Sequence, residues 1–280
     1  MVDHPTTRLV GISLALSAVF IAARPHAQSG GDVPKGRLNQ IIEQFEQGKP
    51  AFANEHWQFI SLEHTLLLDA YAKAMAGLRP DKGGRPRLTP IVRIAQTPDE
   101  DFTHAVKQVL DDGALGVILP DVKTKDQVEK FVSSMRYPQQ PGSKYPRPEG
   151  IRGWGPTGAR VMMGGLSNEE HHRKADLWPL NPEGELLAIV MIETREAIKN
   201  IDGILSVPGL GAAMIGPADL SLALGAGTPA PKPSAPQVEA ATATVAKACV
   251  AHKKLCGTFE SPDISARLAQ GFKLFARASK

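Results

Sequence analysis

Eight short apolar runs, most of them separated by stretches of helical spacing, constrain this chain more than any other feature. The runs are Ala51–Ala53, Phe59–Leu62, Thr89–Ile94, Leu115–Leu119, Leu186–Ile192, Ala212–Ile215, Leu255–Phe259 and Phe272–Phe275. Helix-like stretches lie between most of them, at Leu66–Ala76, Asp99–Asp111, Lys125–Met135, Thr194–Leu205 and Gln237–His252. An earlier helical stripe, Leu38, Ile41, Ile42 and Phe45, is stopped by Gly48-Lys49-Pro50. Strands alternating with helices pack as parallel βαβ units. Eight of them predict a closed (β/α)8 TIM barrel in one α/β domain rather than an open sheet. The chain has 280 residues, and such barrels commonly take about 250 as a single unit.

Charge narrows the partners. The net charge is only +3, with Lys and Arg scattered, and no basic stripe interleaved with aromatics marks a nucleic-acid surface. Near the start, Arg8 precedes the apolar run Leu9–Ala23, which Arg24-Pro25-His26-Ala27-Gln28 ends. That run is short of the roughly 20 residues of a membrane span but suits a signal-peptide core. Residues 1–28 are therefore expected to be a signal peptide and residues 29–280 the barrel. The product is expected to be periplasmic or secreted and free of the membrane after processing, or cytoplasmic if the segment is not a signal. Cys249 and Cys256 form no metal-type pair and are expected to be buried thiols, with a disulfide as the alternative in an oxidising compartment. Two proline-rich stretches, Tyr137–Pro148 and Gly225–Pro236, read as long functional loops.

Polar residues fall at the ends of the predicted strands, where barrels of this kind place their chemistry. Glu63-His64 follow the second run, Arg93 sits in the tail of the third, Glu193 closes Leu186–Ile192, and Asp219 follows Gly216-Pro217. Two carboxylates with open positions around them suit a hard cation such as Mg²⁺, with substrate and water completing the shell. Such an ion stabilises negative charge on an enolate oxygen. Arg93 can fork onto a carboxylate or that oxygen, and a histidine such as His64 is the residue type suited to proton transfer near neutral pH. Each residue also has a plainer reading. Glu193 and Asp219 are placed to cap helices, Arg93 to pair with Glu63 or Asp69, and His64 to be a satisfied core histidine.

The segment "AIVMIETREAIKNIDGILSVPGLGAAMIGPADLSLALG", Ala188 to Gly225, closely resembles the HpcH/HpaI family of class II pyruvate aldolases. So do "LTPIVRI" at Leu88–Ile94, "VLDDGALGVILPDV" at Val109–Val122, and the pieces "RYP" and "GIRGWGP" at Arg136–Pro138 and Gly150–Pro156. The resemblance implies a (β/α)8 barrel that assembles as a homo-oligomer. It also implies metal-dependent cleavage of a 4-hydroxy-2-oxo acid, a small-molecule keto-acid substrate, into pyruvate and an aldehyde. By motif match Glu193 and Asp219 would ligate Mg²⁺, Mn²⁺ or Co²⁺, Arg93 would bind the keto acid, and His64 would be the base. Asp111 matches an acid near a subunit boundary, and the backbone of Gly216, Pro217 and Ala218 would help hold the substrate carboxylate. An exported barrel that binds a metal and a keto acid without turnover, or a related lyase or decarboxylase, is the alternative.

Four departures from the family pattern carry expectations of their own. Ser61 of "SLEH" stands where the family carries the aspartate that polarises the histidine, so His64 would be a weaker base or another group, His56 being the nearest candidate, would take the role. Met191 stands where many members have a substrate-contacting glutamine. Asn54 to Gln58 is too short for a helix between the first two strands. The chain ends at Lys280 soon after the eighth strand, so the family's last helix, often exchanged between subunits, is expected to be missing.

Overall fold

In the computed structural model of this chain, residues 1, 36–64, 68–81, 84–228, 230–259 and 263–276 are described. The expected signal segment lies outside them except for Met1. The chain begins with α1 (Gln40–Glu46), β1 (Ala51–Phe52), β2 (Trp57–Ser61), α2 (Leu68–Leu78), β3 (Thr89–Arg93), α3 (Thr103–Asp112) and β4 (Gly116–Leu119). It continues through α4 (Lys125–Met135), α5 (Thr157–Met162), α6 (Asn168–Lys174), β5 (Leu177–Trp178) and β6 (Leu186–Ile192). Then come α7 (Arg195–Lys199), α8 (Ile201–Leu205), β7 (Leu210–Ile215) and α9 (Pro217–Ala223). The last elements are α10 (Pro236–Ala251), β8 (Leu255–Thr258), α11 (Ile264–Ala269) and β9 (Leu274–Phe275). Among the described residues no helix is long and apolar enough to cross a membrane.

All ladders are parallel, in the order β1-β9-β8-β7-β6-β4-β3-β2, with β5 an extra short strand on β6. Ring closure falls between β1 and β2. A parallel crossover ordinarily needs a dozen or more residues, and here only a turn over residues 53–56 joins the two strands. They meet at a single bridge, Ala53 to Trp57. The barrel is thus nearly closed, and the absence of a helix over Asn54–Gln58 agrees with the sequence expectation.

Strand parity sorts the core. Successive side chains on a strand face opposite sides, so Trp57, Ile91, Ile118, Leu187, Ile189, Met191, Ala212 and Met214 fill the lumen. Their neighbours Val92, Val117, Leu119, Ala188, Val190, Ala213 and Ile215 face the helices. Ile41 and Ile42 of α1 join the lumen cluster, so this helix stoppers the end where the strands begin. Asn39 caps it by accepting from the Ile41 and Ile42 N–H groups. The Asn39 amide donates to the Leu115 and Glu185 carbonyls, and the Gln40 N–H donates to the Thr89 hydroxyl.

One expected element differs, and one region holds elements that were not expected. The helix predicted over Thr194–Leu205 is broken at Asn200 into α7 and α8; its side-chain amide donates to the Lys123 carbonyl at 2.9 Å. The region between Gly150 and Glu185 holds α5, α6 and β5, whose short and mixed composition left no period to read. Cys249 and Cys256 are free and buried, as expected.

Candidate active site

Parity also explains the mouth. Phe59 and Ser61 continue the lumen face of β2, Arg93 that of β3 and Met191 that of β6, and Glu193 is the next inward position after Met191. Ser61 and Arg93 are direct partners in the ladder, so their side chains meet. Arg93 Nη2 and Nε donate to the Ser61 hydroxyl at 2.9 and 3.3 Å. Its Nη1 lies 3.7 Å from the Met191 sulfur and 2.8 Å from Glu63 Oε2. The guanidinium carbon sits 5.2 and 5.4 Å from the Phe59 and Phe259 ring centroids, a cation–π flank on two sides. The structural pairing of Arg93 with Glu63 is therefore present.

His64 is 67% exposed in its side chain, and its Nε2 lies 3.7 Å from the same Glu63 oxygen. That distance is Coulombic contact rather than a hydrogen bond. Ser61 is committed to Arg93, so the carboxylate beside the histidine is Glu63. His56 is at the other end of β2: its Nδ1 accepts from the Phe52 N–H and its carbonyl from the Thr89 N–H. Five strand residues separate it from the mouth, about 16 Å, which removes it as a substitute base.

Glu193 is 6% exposed. Its Oε2 accepts from the Asp121 N–H at 3.1 Å, and a Cβ placed on Gly216 would lie 2.2 Å from Oε1. Gly216 is thus required by close approach, which accounts for the break after β7. Burial pushes the Glu193 carboxyl up to about 7. Asp219 and Glu63 push the same way, while the Asp121 N–H and Arg93 oppose them. Glu193 does not cap α7, because Thr194 does so by accepting from the Ala197 N–H. Asp219 is exposed in the first turn of α9, whose N-cap is Gly216 and whose first residue is the buried Pro217. Among the described residues it makes no side-chain hydrogen bond or ion pair.

Asp111 is elsewhere. It lies at the end of α3, and a helix between parallel strands returns its C-terminus to the end where the strands begin. Its carboxylate pairs with Lys107 and, at 2.8 Å, with Arg152. The Arg152 guanidinium lies 4.5 Å from the Tyr137 ring centroid, and the Tyr137 hydroxyl is 3.2 Å from His171 Nε2. Arg136 is buried against Asp176 at 2.7 Å. The "RYP" and "GIRGWGP" pieces therefore build a polar knot outside the mouth. Within its own chain the fold places Asp111 apart from Arg93, Glu193 and His64.

The donor set fits a hard divalent cation. Glu63 and Asp219 both lie near enough to Glu193 to raise its carboxyl, and Glu193 keeps one oxygen outside its backbone hydrogen bond. Among the described residues no group of three or more His, Cys, Asp or Glu could hold a metal by itself. Two carboxylates leave the remaining positions to substrate and water, the pattern expected of Mg²⁺. Asp121, Phe59 and Phe259 were missed from sequence; only the inward parity of Phe59 carried a signal.

The HpcH/HpaI aldolase/citrate lyase family model matches residues 75–271. A 2-keto-3-deoxy-L-rhamnonate aldolase of Klebsiella pneumoniae subsp. pneumoniae is 34% identical over 136 residues, 49% of this chain and 43% of that protein. The chain thus spans under half the length of the curated relatives it matches. The solved citrate synthase SbnG is 25% identical, covering 86% of this chain and 90% of that one with a TM-score of 0.61. An HpcH/HpaI family protein from Burkholderia cenocepacia J2315 shares the fold at 23% identity, 85% and 92% coverage and a TM-score of 0.61.

Proposed function

This chain belongs to the HpcH/HpaI aldolase/citrate lyase family, and from that premise we propose that it is a carbon–carbon lyase of the pyruvate-aldolase type. The substrate class is a 4-hydroxy-2-oxo acid, such as a 2-keto-3-deoxy sugar acid, cleaved to pyruvate and an aldehyde and re-formed in the reverse addition. The observation that carries the reading is the meeting of Glu193, Arg93 and Glu63 at one end of the barrel, with Asp219 close enough to raise the Glu193 carboxyl.

Glu193 and Asp219 would hold Mg²⁺, Mn²⁺ or Co²⁺. When bound, such an ion supplies a Lewis acid for the developing enolate oxygen. Arg93, its plane fixed by Ser61 and its faces dried by Phe59 and Phe259, binds the keto-acid end once Glu63 yields Nη1. Gly216 brings the backbone of the Gly216–Ala218 turn near the substrate carboxylate. His64 takes the C4 hydroxyl proton as the C3–C4 bond breaks; the electron pair left on C3 becomes the enolate, and a proton returned to C3 completes pyruvate. Glu63 stands in for the absent aspartate by offsetting the imidazolium charge. In this reading Asp111 acts at the boundary with another copy of the chain, the protein is a homo-oligomer, and residues 1–28 direct export.

The test is pyruvate release from a panel of 4-hydroxy-2-oxo acids, with and without Mg²⁺ or Mn²⁺, by the wild-type chain, Glu193→Ala and His64→Ala. Metal-dependent pyruvate lost in both variants supports the reading. Ligand binding with no product from any substrate would replace it with a binding barrel, and carbon dioxide release would replace it with a decarboxylase.

A further inference from the structure

We propose that Asp121, locked by Lys123, is a positioning residue that fixes the Glu193 carboxylate for a divalent cation; the inference rests on the metal reading above. Asp121 has a φ of 51°, in the left-handed region that few residues other than glycine enter readily, Asp and Asn being the main exceptions. In this conformation the loop after β4 turns the Asp121 N–H across to β6, where it donates to Glu193 Oε2 at 3.1 Å.

The loop is held from several sides. Lys123 Nζ lies 2.9 Å from the Asp121 carboxylate and 3.1 Å from that of Asp99. The Lys123 N–H donates to the Gln127 side chain at 2.8 Å, and its carbonyl accepts from Asn200 at 2.9 Å. The Gln127 side chain also accepts from the Thr124 N–H, closing the capping box of α4. The break between α7 and α8 thereby acquires a purpose: Asn200 reaches back to the loop that orients Glu193.

The result is a carboxylate clamped on two sides. One oxygen accepts from an amide, and the other faces a glycine with no room for a Cβ. A ligand already held in one orientation loses little rotamer freedom when an ion arrives, and groups bonded to a ligating carboxylate commonly set its affinity.

The test titrates Mn²⁺ into the full chain at pH 8 by calorimetry and follows melting temperature in parallel. Asp121→Gly keeps the N–H and allows the left-handed backbone but loses the Lys123 ion pair, so its Kd weakens less than that of Asp121→Val. Asp121→Val disfavours that backbone and weakens Mn²⁺ binding by about tenfold or more. Lys123→Met, which leaves the main chain intact, weakens it in the same direction. Glu193→Gln removes the ligand itself. If Asp121→Val and Lys123→Met change melting temperature but bind Mn²⁺ like wild type while Glu193→Gln does not, the positioning role is overturned and the metal reading stands. If wild type fails to bind, or Glu193→Gln binds equally well, the metal reading falls and takes this inference with it.

Discussion

Acid should destabilise this barrel through His171. The side chain is fully buried, pairs with the Tyr137 hydroxyl through Nε2, and has no partner for Nδ1 in the structure. Burial lowers it from 6.5 to about 4, with Arg152, Arg160 and His172 adding to the depression and Asp111 opposing it. Between those values the unfolded chain binds a proton that the folded chain refuses. Stability therefore falls as pH drops through 6.5 and stops falling from this source below about 4. Linkage gives RT ln[(1 + 10^(6.5−pH))/(1 + 10^(4−pH))], close to zero at pH 8 and about 2 kcal/mol at pH 5. The assay is urea unfolding at both pH values for wild type and His171→Phe, which keeps the ring volume and removes the titration. The variant loses one hydrogen bond at both pH values, so the readout is the difference of differences. Wild type should lose about 2 kcal/mol more than the variant on going to pH 5. Equal losses would refute the reasoning, because another group would then take up the proton.

Three further outcomes are expected. Divalent-metal affinity should rise by about tenfold per pH unit up to about 7 and then level, because the ion competes with the proton that burial keeps on Glu193; a flat calorimetric profile from pH 5 to 8 would contradict this. Gly216→Ala should abolish Mn²⁺ binding while circular dichroism stays native, because the new Cβ would lie 2.2 Å from Glu193 Oε1; retained affinity would refute the close-packing argument. Ile42→Ala should cost about 2–5 kcal/mol in denaturant unfolding, because this fully buried side chain stoppers the lumen; a loss under 1 kcal/mol would contradict that role.

The barrel was legible because its signals are local and periodic. Leu186–Ile192 is apolar throughout, as a strand buried on both faces must be, and Lys125–Met135 carries a helical face and a Thr124–Gln127 capping box. The mouth was legible where parity and strand ends coincide, at Arg93 and Glu193. What escaped depends on chain positions brought together only by folding. Nothing near Asp121 in sequence announces that its amide faces Glu193, 72 residues on. Likewise α3 runs opposite to the strands and carries Asp111 away from its own chain's mouth.

The single bridge between β1 and β2 divides the active end mechanically. Glu193 and Asp219 follow β6 and β7, each laddered on both edges. Ser61 ends β2 and Glu63 and His64 follow it; that strand is laddered on one edge and joined to β1 on the other only at Ala53 and Trp57. A hoop with one weak weld is stiff opposite the weld and compliant beside it, and local opening follows the sparser hydrogen bonding. The carboxylates that would seat an ion thus rest on the stiff arc. In the proposed reaction the residues that grip Arg93 and move protons would ride on the compliant one, so Glu63 would swing off Arg93 to admit a keto acid without disturbing the ion's seat.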